Sequence, residues 1–265
     1  MEKQSRRMEA TVAMGLLVGA MAIALLGASV PSGVPVYKFG VGETMVAGSV
    51  GEVIWSAHAE ADQNPFPAAA AAATVVSSST DDDVGGAGCE SVSYEGLQQN
   101  ADGDKVRMVG SADLNGTSAV SLDETVFRIY RAKCMSGATN VGDVDFLIGT
   151  TIIARVPAGI GQTEMAAFSL GKGEGGSIHS FHGAMLAGSG SSPSGIIKMW
   201  RRSFTGPWRV FVMPLVVEPG TGHQVINAPA GGGNLSQNSD YKVALYSFAG
   251  TSATITAGFD MTIRR

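Results

Sequence analysis

Charge is scarce in this sequence. Asp, Glu, Lys and Arg make up 15% of its 265 residues, where a freely soluble monomer carries nearer a quarter. There is no basic excess: the formal net charge is -5, so no global positive field favours nucleic acid, and no specific nucleic-acid binding is expected. Cysteine is limited to Cys89 and Cys134, too far apart for a CxxC or a zinc-ligand spacing. The pair reads first as two small packed thiols, with a disulfide as the alternative. Signatures of catalysis are also missing. No GxSxG is present, and no serine has a paired His and Asp at a recognisable spacing. The Gly-rich run "GKGEGG", Gly171 to Gly176, lacks the GxxxxGK[ST] spacing that cradles phosphates and reads as a hairpin loop. No enzyme, catalytic residue or cofactor site is expected.

Glycine is abundant, at 36 residues, and hydrophobic residues reach 45%. Little charge with much Gly, Ala and Ser suits a chain whose surface is largely covered by neighbours or by a membrane. From Ala10 to Val30 the chain is uncharged and rich in Ala, Gly, Met and Leu. That is long enough to cross a hydrocarbon slab of roughly 30 Å as a helix. Lys3, Arg6 and Arg7 precede it, as the positive-inside rule asks of a cytoplasmic N-terminus. Gly15 and Gly19 form a GxxxG. Residues 10–30 are therefore expected as a helix, in lipid as a transmembrane helix or inside an assembly. A signal peptide is the third reading, with a mediocre cleavage site at Gly27-Ala28-Ser29. Pro31 and Pro35 end the helix.

Residues 37–88 read as an extended, loop-rich linker. Ser77-Ser78-Ser79, Asp81-Asp82-Asp83 and the glycines after them read as a solvated loop. The acidic triplet suits calcium chemically but lacks EF-hand spacing, so no metal is expected there.

From Cys89 onward the hydrophobic period is two. "ESVSYEGL", "DKVRMVGSADL", "ETVFRIYRAKC", "DVDFLIGTTIIARVP", "SIHSFHGAML", "GIIKMWRRSF", "YKVALYSF" and "ATITAGFDMTIRR" are separated by Gly, Asn, Asp, Ser or Pro. Many short strands without helices between them predict an antiparallel β-sandwich over residues 89–265, of jelly-roll type. The expected organisation is thus an N-terminal hydrophobic arm (1–36), the linker (37–88) and the sandwich. In "TVFRIYRAK", alternation places Phe127, Ile129 and Arg131 on one side and Arg128 and Tyr130 on the other. Apolar groups on both faces imply a sheet covered by its own core and by a neighbour.

Several of these pieces, in order, resemble a family. "YKFGVGETMVAGSVGEVIW", "AAATVVSSSTDDDVGGAGCESVSYEGL", "LNGTSAVSLDETVFRIYRAKC", "NVGDVDF", "RVPAGIGQTEMAAFSL" and "TSATITAGFDMTIRR" are similar to uncharacterised structural proteins of marine tailed phages, cyanophages among them. The resemblance runs over residues 36–265. Family members usually begin near the "FG…IW" segment, so the hydrophobic arm is a departure. The resemblance implies a virion protein of capsid shell, vertex or decoration, with copies of itself and other virion proteins as expected partners; lipid contact through residues 10–30 is expected from that stretch's own length and lack of charge. The alternative it leaves open is a tail or spike attachment module for host surface glycans. It assigns no role to individual residues. The sequons at Asn115 and Asn234 carry no weight in such a protein.

Two remaining groups matter. His179 and His182 are three apart, on opposite faces of a strand, and so are not expected to chelate one metal; His58 and His223 stand alone. "KMWRRSFTGPWRVF" interleaves Trp200, Arg201, Arg202, Trp208 and Arg209. It reads as a hairpin whose aromatics pack in the core while the arginines face solvent or a subunit, with a glycan-binding or inter-subunit patch as the alternative.

Overall fold

The computed structural model describes residues 33–187, 192–212, 214–227 and 233–265. The predicted helix of residues 10–30 lies outside them. Among the described residues the chain is mainly β and entirely antiparallel in its sheet pairings, with no helix long and apolar enough to cross a membrane.

Three sheets are built from sixteen strands. The first contains β1 (Val34–Met45), β16 (Ala253–Arg264), β9 (Gly175–Ala187) and β13 (Gln224–Asn227) in that order, with β14 (Asn234–Leu235) also on β9. The second runs β11 (Arg209–Val210), β10 (Ser194–Ser203), β15 (Ser239–Ala249), β8 (Ala167–Leu170), with β12 (Leu215–Val217) also on β10. The third has the order β4 (Lys105–Asp113), β3 (Cys89–Gln99), β5 (Val120–Gly137), β2 (Ala71–Ser77), β6 (Val144–Ile148), β7 (Thr151–Val156).

The first two sheets face each other as a β-sandwich. Alternate residues of β16 (Ile255, Ala257, Phe259, Met261 and Ile263) enter the core between them, where they meet Ile197, Met199, Tyr241, Val243 and Leu245 of the second sheet. That is the period-two pattern at work: one parity is buried, the other carries Thr254, Thr256, Asp260 and Thr262 outward. The third sheet buries Val75, Val92, Tyr94, Val126, Ile129 and Phe146 in a second core, against Val53, Trp55 and Phe66 of the segment after β1. The segment expected as a linker thus supplies one strand to the first sheet, one to the third, and the filling between the second and third.

The expected face assignment in β5 is corrected. Val126 to Tyr130 are all buried. Phe127 and Tyr130 both enter the first core, while Val126 and Ile129 enter the second. The pairing with β3 explains it: Arg131 and Ile129 oppose the consecutive Glu95 and Gly96, and Arg128 and Val126 oppose Leu97 and Gln98. Tyr130 and Phe127 are the extra residues of two bulges, which break alternation and re-aim side chains. The second cover on β5 comes from the same chain and not from a neighbour. Gly96 is required at this crossing, because a Cβ there would lie 1.8 Å from the Arg128 carbonyl oxygen.

Cys89 and Cys134 are joined as a disulfide, with Cα atoms 5.7 Å apart, a normal bridging distance. This replaces the reading as two thiols. The loop of Asp81–Asp83 is not simply solvated either. Asp82 is fully buried. Its Oδ1 accepts from the N–H of Cys89 and Val141, and its Oδ2 accepts from the Gly142 N–H and the Ser77 hydroxyl, at 2.6–2.9 Å. The residues 171–174 do not close a hairpin: β8 and β9 belong to different sheets, and the Gly-rich turn carries the chain from one to the other.

Candidate functional site

The seam between the second and third sheets holds the most chemistry. Arg128, from a bulged stretch of β5, is 1% exposed, and Asp240, from β15, is fully buried. Arg128 Nε donates to Asp240 Oδ1 at 3.0 Å and Nη2 to Oδ2 at 2.9 Å. Its Nη1 donates to the carbonyls of Pro67 and Phe127, and its guanidinium lies 3.7 Å from the Phe127 ring centroid. Asp240 also accepts from the Ser169 hydroxyl at 2.7 Å and Arg202 Nε at 3.0 Å. Four bonds fill the carboxylate's acceptor sites, the condition for burying a charge at tolerable cost.

Arg202 opens this network to solvent. Beside it is a cleft of about 640 Å3 lined by Glu52, Asn64 and Phe66 from the segment between β1 and β2, Arg202 and Trp208 from the β10–β11 hairpin, and Lys242 from β15. The Trp208 ring has the Arg202 guanidinium 4.6 Å and the Lys242 ammonium 4.7 Å from its centroid. Phe66 meets it edge-on at 5.0 Å. Lys242 Nζ donates to the Gly51 carbonyl at 2.7 Å. Burial, then Arg202, pull its amine down to about 8 against the pull of Glu52.

The Trp/Arg hairpin is therefore divided. Phe204 and Phe211 pack against the first core and Trp208 against the second. Arg201 and Arg209 are exposed and opposite each other in the hairpin. Arg202 reaches inward to the buried Asp240 while part of its side chain borders the cleft. Trp200 lies away from the cleft, its ring 6.4 Å from that of Tyr246. Sequence reasoning missed Phe66, Asn64, Lys242 and Asp240 as members of this site; they come from two stretches, 64–66 and 240–242, both remote from the hairpin, and no local pattern links them.

The histidines are placed differently from expectation. A bulge at His179, between the pairs Ser180–Asp260 and Ile178–Met261, puts His179 and His182 on the same outer face of the first sheet. They still do not converge: His179 bonds to the Thr262 hydroxyl at 2.6 Å, while His182 packs against His223 with ring centroids 5.0 Å apart. Burial lowers the His182 pKa; Asp260 opposes this and His223 adds to it. His58 is buried, its Nδ1 3.0 Å from the Trp55 carbonyl oxygen. Among the described residues no three His, Cys, Asp or Glu side chains are grouped to hold a metal.

A second cleft, about 420 Å3, lies between β1 and β5 and is lined by Tyr37, Lys38, Phe39, Glu95, Arg131 and Lys133. Lys38 is buried and donates to the Tyr130 carbonyl. Burial first, then Arg131, bring its amine down to about 7, with Glu95 opposing.

No family model and no curated protein matches the chain. Among solved structures it is similar to that of infectious bursal disease virus Gt strain, at 9% identity over 87% of this chain and 72% of that chain, with a TM-score of 0.22. The structure of the Gx strain of the same virus is similar at 10% identity over 89% and 77%, with a TM-score of 0.16. TM-scores this low establish no shared fold.

Proposed function

We propose that this chain is a structural component of a phage particle, in the capsid as shell, vertex or decoration, and acts by subunit packing and not by catalysis. One observation carries the reading: the strand order. In chain order β1, β8, β9, β10, β12, β13, β15 and β16 divide between two facing sheets, ordered β1-β16-β9-β13 and β8-β15-β10-β12, with only β10 and β12 following each other in one sheet. That is the connectivity of an eight-stranded jelly roll, a fold used by viral capsid and lectin domains. The third sheet, β2 to β7, is then one insertion between the first and second strands of the roll. The ordered resemblance to marine phage structural proteins points the same way. The outer face of the first sheet presents Tyr37, Phe39, Leu186 and Val225, all exposed, as a surface that packing against another copy or another virion protein would cover. Immunogold electron microscopy of purified particles tests this reading. Label on every particle is expected; unlabelled particles contradict it.

A second reading, an attachment module at the tail or on spikes that recognises host glycans, is favoured by the cleft at Trp208, which packing alone does not require.

A further inference from the structure

The cleft beside Trp208 is unevenly charged. Three cations meet at this seam, Arg128, Arg202 and Lys242. The acids are two, Asp240 and Glu52. Asp240 is saturated, since Arg128, Arg202 and Ser169 use its four acceptor sites. Lys242 has one hydrogen bond, to a neutral carbonyl. Among the described residues no carboxylate forms an ion pair with it, and its ammonium lies against the indole of Trp208. Arg202 and Lys242 lie 4.6 and 4.7 Å from the centroid of the same ring and border the same cleft, where their charges oppose each other, and an anion bound in the cleft would relieve that repulsion.

The remaining lining indicates what carries the anion. Trp208 and Phe66, crossed at 68°, offer an apolar corner. Gln63, Asn64 and Glu52 bring amide and carboxylate groups suited to hydroxyls. The volume lies within the roughly 300–1,000 Å3 of ligand sites. Glu52, in a chain of net charge -5, opposes a polyanion such as a phosphodiester backbone, so the ligand carries few charges and many hydroxyls.

We propose that this cleft binds an acidic sugar of a surface glycan, its carboxylate between Arg202 and Lys242 and its ring against Trp208 and Phe66. The inference rests on the second reading, attachment, and names its ligand class. The full chain should be titrated with trigalacturonate and with sialyllactose, followed by tryptophan fluorescence and saturation-transfer NMR, with lactose and sodium sulfate as controls. Saturable binding of at least one acidic sugar is expected, with lactose at least about tenfold weaker. Replacing Lys242→Met, which keeps the apolar stem, should weaken binding about tenfold or more, the scale of one charge-assisted hydrogen bond. Glu52→Gln should strengthen it, which a merely misfolded variant would not do. Absence of saturable binding at millimolar sugar overturns the proposal. So does equal binding of lactose, equal binding of sulfate alone, or affinity unchanged in both variants. None of these outcomes alters whether the protein is found in particles, so failure here is distinguishable from failure of the virion reading.

Discussion

Arg128 and Asp240 stand 112 positions apart and form a two-bond, fully buried ion pair that fastens the third sheet to the sandwich. The pair decides how the six-stranded sheet sits, because Arg128 comes from β5 and Asp240 from β15, with Ser169 of β8 and Arg202 of β10 drawn in. Removing one partner leaves an unpaired charge in a dry site. Asp240→Leu, which strands Arg128 and Arg202 together, should cost about 3–5 kcal/mol. The double change Arg128→Met with Asp240→Leu should cost clearly less. Urea unfolding of the three proteins measures this; a double variant as unstable as Asp240→Leu would refute the account of the pair.

The Asp82 carboxylate organises the loop from Ser77 to Cys89 and the turn at Val141 and Gly142. Burial pushes its carboxyl up, but the bonds from Ser77, Val141, Gly142 and Cys89 outweigh it and hold the group below its ordinary 3.8. A depressed carboxyl contributes stability that is present above the unfolded value and lost as pH falls through the folded one. Part of the acid unfolding below pH 3.8 should therefore belong to Asp82. Asp82→Asn, which cannot accept all four bonds, should lose about 3 kcal/mol at neutral pH and show a flatter acid limb. An unchanged acid limb contradicts this.

Much of the fold was legible before any coordinates. The period-two stretches from Cys89 onward coincide with β3 to β7, β9, β10, β15 and β16, because along most of their length one face lies in a core and the other outside it; the middle of β5, covered on both faces, is the exception. β1 was not legible. Its pattern is interrupted by Gly40 and Gly42 and by Lys38 at a buried position, and its partner β16 begins more than two hundred residues later. The faces of β5 were misread because bulges at Phe127 and Tyr130 have no sequence mark. The candidate site was half legible: Arg202 and Trp208 stood out as cations and aromatics together, whereas Lys242 and Phe66 acquire meaning only from tertiary contact.

Lys38 gives a pH signature of the opposite kind. Its amine is near 10.5 when unfolded and about 7 when folded. Between these values the unfolded chain binds more protons, so stability rises with pH across this window and is lowest, and flat, below pH 7. Lys242, at about 8, contributes with the same sign. The combined gain is on the order of a few kcal/mol. Lys38→Met should remove most of the slope between pH 7 and 8, where Lys242 contributes least. Denaturant midpoints measured across the window check this, and an unaltered slope in the variant contradicts it.

The Cys89–Cys134 bond closes a loop with a sequence separation of 45. Chain-entropy reasoning gives about 4 kcal/mol of stabilisation for a loop of that length. Reduction, or the paired change Cys89→Ser with Cys134→Ser, should remove about that much stability and lower the melting temperature. A wild-type melt unmoved by a reductant that frees both thiols, as read by thiol titration, contradicts the assignment of this bond as a structural tie.

The central claim is that the chain builds part of a phage particle. Quantitative mass spectrometry of purified particles, with the copy number set against the other virion proteins, tests it most directly. Incorporation at hundreds of copies per particle is the result expected of a shell or decoration protein. A handful of copies would move the protein to the tail or spike, where the acidic-sugar cleft would be its working surface. Absence from washed particles would contradict the claim outright.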